Sequence, residues 1–410
     1  MKKASISIIF LTVLIDLVGF GLILPLIPIY SKNFHASGFV SGAIVSSYSL
    51  MQFIFAPIWG RLSDRIGRRP VLLGSTACAC LSYVIFAIGS GLSGNAALTV
   101  MFLSRLFAGI CGANITVAQA YIADITPPEK RSAKMGLVGL AFGLGFILGP
   151  ALGAASFSCF GLTAPGWTAA SLCALNFIWA YMRLAESWQP AAHWVTQRPH
   201  LEHWMHVLRM PRLNLLIAIF FLATLCFTCF EVTISWLVMR NFGIDPEKST
   251  VPVFLLIVFC GLIGAVFSYG AGRLVKRMGE PKLIALSLFL AAVGIGLLPY
   301  LTHWWTLLVG LGIFSIGSSL TRPPVFGMIS MLTPAHEQGA TIGVTQGVGS
   351  LARIVGPLFA ASFFALNMFN APMPFLVCGA LCLLTSMVTM QYLTHVEPVP
   401  RPSASSVTPN

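Results

Sequence analysis

The chain has 410 residues, of which 57% are hydrophobic and only 9% charged, with a mean hydropathy of +0.86; soluble domains carry roughly 25% charged residues. This composition excludes a string of soluble domains, and long unbroken apolar runs in place of short alternating ones exclude a membrane β-barrel. The net charge of +12 raises nucleic acid as a partner, a reading that the placement of the charges rejects below.

A helix needs about 20 apolar residues to cross the hydrocarbon. Twelve runs qualify: 6–30, 38–60, 71–91, 96–124, 135–158, 166–184, 213–240, 250–272, 282–301, 304–332, 339–364 and 372–393. They are called spans 1 to 12. Span 1 follows Lys2-Lys3, which imitates a secretory signal, yet it is too long, holds Asp16 in its middle and lacks a small-residue cleavage site, so it is read as retained. Span 2 carries Gln52 and leads into Gly60-Arg61-Leu62-Ser63-Asp64-Arg65-Ile66-Gly67-Arg68-Arg69. Gly60 and Gly67 permit a tight turn there, and Asp64 is placed to accept hydrogen bonds from the start of span 3 or from arginines. Span 4 bears Arg105, Asn114 and Gln119, and Asp124 at its inner end can meet Arg65 or Arg68. In span 5, Gly145, Gly149 and Gly153 make small-xxx-small steps for close helix approach, and Pro150 should bend the helix.

Residues 185–212 read as a linker between two halves. His200, His203 and His206 recur every third residue, fanning over roughly 120° of a helix. That segment reads as an amphipathic helix at the membrane surface, anchored by Trp204 and Leu208, with a metal or pH-sensing cluster as the alternative. Span 7 holds Glu231 and a CxxC, Cys226 and Cys229. All ten cysteines sit in or beside apolar runs and read as small apolar packing residues, without a metal or redox role. Span 10 places Arg322 beside Pro323-Pro324, where it meets either an anionic substrate group or carbonyls freed by a broken helix. Span 11 carries Gln346 and Arg353, and 394–410 reads as a disordered tail.

With the N-terminus inside, eighteen of the 24 Lys and Arg fall on cytoplasmic segments, only Lys32, Arg240 and Lys248 fall outside, and Arg105, Arg322 and Arg353 lie within spans. The positive-inside rule therefore places both termini in the cytoplasm. The basic charge is topological, and nucleic acid drops out.

The chain also repeats itself. Gly60-Arg61-Leu62 returns as Gly272-Arg273-Leu274 and Gly67 as Gly279, an offset of 212. Thr126-Pro127 returns as Thr333-Pro334, and Gly149-Pro150 as Gly356-Pro357, both offset by 207. Two six-span halves of like orientation follow, 1–184 and 213–393, and parallel repeats of this kind place a substrate site at their interface near the bilayer midplane.

A charge near the bilayer centre costs roughly 2.5–3.5 kcal/mol, so each intramembrane charge is a candidate functional group. Asp16 lies about 15 Å from the inner end of span 1 and Arg105 about 14 Å from the outer end of span 4, close enough in depth to pair. Asp16 is the first candidate for proton coupling, since burial favours a neutral carboxyl and a nearby guanidinium a charged one; a static pair locking spans 1 and 4 is the alternative. Glu231 and Arg353, about 27 and 21 Å from the inside, are placed to pair as a second protonation or cation-binding site, or as a structural ion pair. Gln52, Asn114, Gln119 and Gln346 are cavity contacts or interhelical hydrogen bonds.

The loop 60–69, together with Asp16-Leu17-Val18-Gly19-Phe20-Gly21, Arg105-Leu106-Phe107-Ala108-Gly109, Tyr121-Ile122-Ala123-Asp124 and Gly145-Phe146-Ile147-Leu148-Gly149-Pro150-Ala151-Leu152-Gly153, resembles the major facilitator superfamily. Within it the chain looks like the twelve-helix drug:proton antiporter branch, near the tetracycline efflux pumps. The resemblance implies an all-α polytopic membrane protein of two parallel six-helix pseudo-repeats, with spans 1, 4, 7 and 10 lining the cavity. It implies that Gly60, Asp64, Arg65, Gly67, Arg68, Arg69 and Asp124 form a cytoplasmic gate, and that Gly145, Gly149, Pro150 and Gly153 belong to a switching motif. The tetracycline pumps carry acids in helices 3 and 9; here Ser82 stands at the first position and 282–301 contains no Asp or Glu, so tetracycline itself is disfavoured. The expected function is proton-coupled export of a small amphipathic, drug-like compound by alternating access, from a monomer in a cell inner membrane. A symporter or facilitator for a metabolite or lipid-like substrate is the alternative. A receptor or an intramembrane enzyme is remote, since no nucleophile–base constellation shares one depth. The partners are the substrate, protons and the bilayer, with no cofactor, metal or nucleic acid.

Overall fold

Lipid leaves no water to satisfy a backbone, so each apolar run must close its own hydrogen bonds as a helix. In the computed structural model, residues 5–23, 30, 34, 38–112, 114–188, 200–244, 246–365 and 373–393 are described, and none of them forms a strand. The spans are Ile6–Ile23, Gly38–Ile66, Arg68–Ser90, Gly94–Cys111 with Asn114–Asp124, Pro128–Phe160, Ala164–Arg183, Pro211–Phe242, Pro246–Met278, Glu280–Leu297, Trp304–Leu332, Gln338–Ala365 and Met373–Leu393. Ten of these are apolar and long enough to cross a bilayer by composition alone. Spans 6 and 11 are not among those ten. Span 11 carries Gln338, Thr341, Thr345, Gln346 and Ser350, all buried. The outer end of the first predicted run (24–29) and the tail 394–410 lie outside the described residues.

Span 4 is broken. Gly112 leaves helical geometry at φ −72°, ψ 53°, and the carbonyls released there find side chains from neighbouring spans. Trp59 Nε1 donates to the Ile110 carbonyl at 2.5 Å, Ser75 Oγ to that of Cys111, and Gln52 Nε2 to that of Gly112 at 3.4 Å. Span 10, where the double proline suggested a break, is continuous through Pro323 and Pro324, and span 5 is continuous through Pro150.

The two halves meet along spans 2 and 11 and along spans 5 and 8, and at several points the two backbones come into direct contact. A Cβ on Gly60 would lie 2.1 Å from the Gly339 carbonyl oxygen, and one on Gly343 2.7 Å from that of Ala56. On the other side, a Cβ on Gly136 would stand 2.3 Å from the Ser268 carbonyl oxygen, and one on Gly272 2.3 Å from Ala133 Cβ. Gly60 and Gly272 are the repeat-related glycines, so the internal duplication is also a duplication of contacts. Gly60 is thus a helical packing residue, correcting its reading as a turn. The turn belongs to Gly67, at φ 99°, and to its counterpart Gly279, at φ 79°.

Gly145, Gly149 and Gly153 face span 1 of their own half. Their Cβ atoms would stand 2.8 Å from Leu17 Cβ, 2.7 Å from the Gly21 carbonyl carbon and 2.6 Å from the Leu22 carbonyl oxygen. Span 5 therefore uses different glycines for the contact within its half and for the contact between halves. Gly149→Val is expected to cost about 1–3 kcal/mol through overpacking, read as a lowered midpoint of thermal unfolding in detergent. An unchanged midpoint would mean that spans 1 and 5 part at no cost.

In the linker, His200–Arg209 forms a helix. Its Trp204 ring meets Phe53 of span 2 edge-on at 5.9 Å and Val207 is buried, so Trp204 anchors the helix to protein in place of the lipid expected from the sequence. Leu208 remains exposed. The side chains of His200 and His203 lie outside the described residues.

Candidate functional site

Between the halves lies a cavity of about 280 Å³ whose lining includes Asp16, Gln52, Asn114, Glu231, Arg322 and Arg353. The remaining wall is mainly apolar and hydroxyl-bearing; Ser82, at the position where the resembling pumps carry an acid, is part of it. Four charges face one apolar space, and their partners differ from those that depth alone suggested.

Asp16 does not pair with Arg105. The break in span 4 makes Asn114 the first residue of the short helix Asn114–Asp124, and its Nδ2 donates to Asp16 Oδ2. The other carboxylate oxygen is buried without a hydrogen-bond partner. Arg105 instead stacks on span 3, with its Cζ 5.4 Å from the Tyr83 ring and 5.2 Å from the Phe86 ring, where the aromatic faces offset part of its desolvation. Similar depth did not bring the two groups together, because they point to different neighbours.

Arg353 likewise does not pair with Glu231. Its Nη2 donates to Gln52 Oε1 at 2.6 Å and to Ser350 Oγ at 2.8 Å. Gln52 thereby joins span 11 to the break in span 4, accepting from Arg353 while donating to the Gly112 carbonyl. Glu231 makes no hydrogen bond or ion pair among the described residues. Arg322 lies between the halves, its Cζ 4.6 Å from the Phe142 ring of span 5 and 5.3 Å from the Phe220 ring of span 7. It bonds none of the carbonyls near Pro323 and Pro324. Gln119 and Gln346 are absent from the cavity wall; both are buried, and Gln346 Nε2 donates to Gln119 Oε1 at 2.8 Å, tying span 4 to span 11.

At the end bearing loop 60–69, a buried network crosses from one half to the other. Arg68 donates from Nη1 to Asp64 Oδ1 at 2.5 Å and from Nε to Asp124 Oδ2 at 2.9 Å. Asp64 also accepts the backbone N–H groups of Gly339 at 2.9 Å and Ala340 at 2.7 Å. A carboxylate thus caps the first turn of span 11, where unsatisfied N–H groups and the helix dipole favour an anion. The repeat-related position of Asp64 is Lys276, which cannot accept; there Ser132 Oγ donates to Glu280 Oε1 at 3.1 Å and Arg131 Nη1 to the Ser330 carbonyl at 2.9 Å. Arg65 is exposed, outside the buried network. Arg69 holds the end of span 6 through the Leu184 and Tyr181 carbonyls, each at 2.9 Å. Glu186, which sequence reasoning did not single out, accepts the N–H groups of Arg68 at 2.8 Å and Arg69 at 3.0 Å. Its signal was an acid directly after a span in a chain with only 12. Among the described residues no group of three or more His, Cys, Asp or Glu is arranged to hold a metal ion.

The family model described as Major Facilitator Superfamily matches residues 9–301 and 255–409. The class E tetracycline resistance protein of Escherichia coli is 32% identical over 370 residues, covering 86% of each chain. Multidrug resistance protein 2 of Bacillus subtilis (strain 168) is 27% identical over 396 residues, 95% of each chain. The solved structure of the human organic anion transporter MFSD10 (TETRAN) superposes with a TM-score of 0.78 at 25% identity, over 94% of this chain and 98% of that one.

Proposed function

The chain belongs to the major facilitator superfamily, and from that premise we propose that it is a proton-coupled exporter of a small amphipathic organic compound, working by alternating access. It is a multi-pass membrane protein; the proposal places it in a cell inner membrane as a monomer with both termini in the cytoplasm. The observation that carries the reading is one cavity holding a carboxyl, Asp16, in a mainly apolar wall, between halves held together at one end by Asp64, which accepts the Gly339 and Ala340 N–H groups. Release of the Asp64 contacts to Gly339 and Ala340 would let spans 2 and 11 part at that end and open the cavity inward. A proton on Asp16 removes a charge that is costly to carry through the membrane interior, which supplies the coupling. The drug-resistance names of the relatives support a xenobiotic substrate. Ser82, and the lack of acids in 282–301, argue against a magnesium–tetracycline cation.

The test is proton movement in everted vesicles, energised and then challenged with cationic, zwitterionic, anionic and neutral drugs. Compound-induced proton release that is absent from vesicles lacking the protein is expected. Compound uptake with no proton movement would favour a facilitator instead.

A further inference from the structure

Four charged side chains line the cavity, and two of them have hydrogen-bond partners in the protein. Asp16 is held by Asn114, and Arg353 by Gln52 and Ser350. The other two, Arg322 and Glu231, have no hydrogen-bond or ion-pair partner among the described residues, although both face the cavity. A charge in an apolar wall without a partner is expensive, and a ligand that supplies the partner recovers that cost on binding. Two rings lie close to the Arg322 guanidinium, and its N–H groups, without a hydrogen-bond partner among the described residues, offer a fork suited to a carboxylate. Glu231 lies beside Phe227 and Phe230, which also line the cavity. Glu231 is 20 residues along span 7 from Pro211 and Arg322 is 10 residues before Leu332 in span 10. At helical rise their Cα atoms stand about 30 and 15 Å from the closed end, about 15 Å apart in depth, and both side chains tilt toward their helix N-termini and so toward each other.

Resting on the exporter reading above, we propose that the cavity is a two-point site for a zwitterionic aromatic compound, with its carboxylate on Arg322 and its ammonium group on Glu231. Each contact occupies about 3 Å, and the preferred substrate carries its two charges at opposite ends of an aromatic body. That body lies against the phenylalanines between the two ends. Such a molecule enters with no net charge, and its binding leaves neither cavity charge unpaired.

The experiment uses the purified full chain and a rigid probe, 4′-(aminomethyl)biphenyl-4-carboxylic acid, with its N-acetyl and primary-amide derivatives, titrated by calorimetry. The parent zwitterion is expected to bind about tenfold or more tightly than either capped derivative, the range for hydrogen bonds to charged groups. Arg322→Gln should erase only the penalty for capping the carboxylate, and Arg322→Lys should restore part of it. Glu231→Gln should erase only the penalty for capping the amine. Equal binding of the three compounds to wild type, no binding of any, or penalties that survive their matching substitution would each overturn the two-point site. Drug-induced proton release in the vesicle assay would then leave the exporter reading standing, whereas its loss would bring down that reading separately.

Discussion

Asp16→Asn should leave a folded, correctly inserted protein that no longer moves protons in response to any compound. The substitution is nearly isosteric, and an amide oxygen can still accept from Asn114, the hydrogen bond that orients the Asp16 carboxylate. It also removes a charge whose insertion costs roughly 2.5–3.5 kcal/mol, so expression should not fall. Only the titratable proton is lost. The measurement compares everted vesicles carrying wild type and the variant at equal expression, with compound binding measured in parallel. Binding retained without proton release assigns coupling to Asp16. Proton release surviving in the variant would move the role to Glu231, the other cavity carboxyl.

Asp64→Asn should act on a different step, weakening the closed end while sparing the cavity. The Asp64 carboxylate accepts from Arg68 Nη1 and from the backbone N–H groups of Gly339 and Ala340. An amide offers one accepting oxygen in place of two, and its NH2 would oppose a donor. Removing one partner of a buried ion pair costs about 3–5 kcal/mol. The ion pair with Arg68 lies within one half, but two of the three bonds cross between the halves, so their share of the cost falls on the conformation in which the halves touch. Substrate binding should stay close to wild type while transport falls more than about tenfold, since each 1.4 kcal/mol is a factor of ten in the balance of states. The check is a paired binding and transport assay in proteoliposomes. Transport near the wild-type rate would remove Asp64 from the switching step.

The spans were legible because lipid imposes one solution on an apolar run, and even the polar span 11 was found between its flanks. The cavity charges were legible for a related reason: a membrane protein does not carry Asp16, Glu231, Arg322 or Arg353 without cause. Their partners were not. Two charges at one depth suggest a pair, but pairing also requires that they point at each other, and the break at Gly112 turns Asn114, not Arg105, toward Asp16. Arg353 was taken up by an amide, Gln52, whose two ends serve two helices, and no charge-matching rule anticipates that. Gly60 looked like a turn residue because glycine is used for turns and for close approach alike, and the two uses separate only when the opposing Gly339 carbonyl is in view. Glu186 passed unnoticed because its task, capping the start of span 3 across more than a hundred residues of chain, leaves no local pattern.

The meeting surface of the two halves has a bearing on how such a protein changes over generations. Helix 2 abuts helix 11, and helix 5 abuts helix 8, in large part through glycines set against backbone, whereas the wall of the proposed substrate cavity is built mainly of larger side chains, many of them on helices 7 and 10. The seating surface is thus richer in glycine, and the cavity wall richer in aromatic and charged side chains. Substitutions at Phe227 or Glu231 should redraw the range of accepted molecules without altering how the halves seat. A single methyl group at Gly60 or Gly136 would halt movement for every compound alike. Variation among descendants of this chain should accumulate on the cavity wall and stay sparse along the glycine seams, so that new specificities arise on an inherited machine.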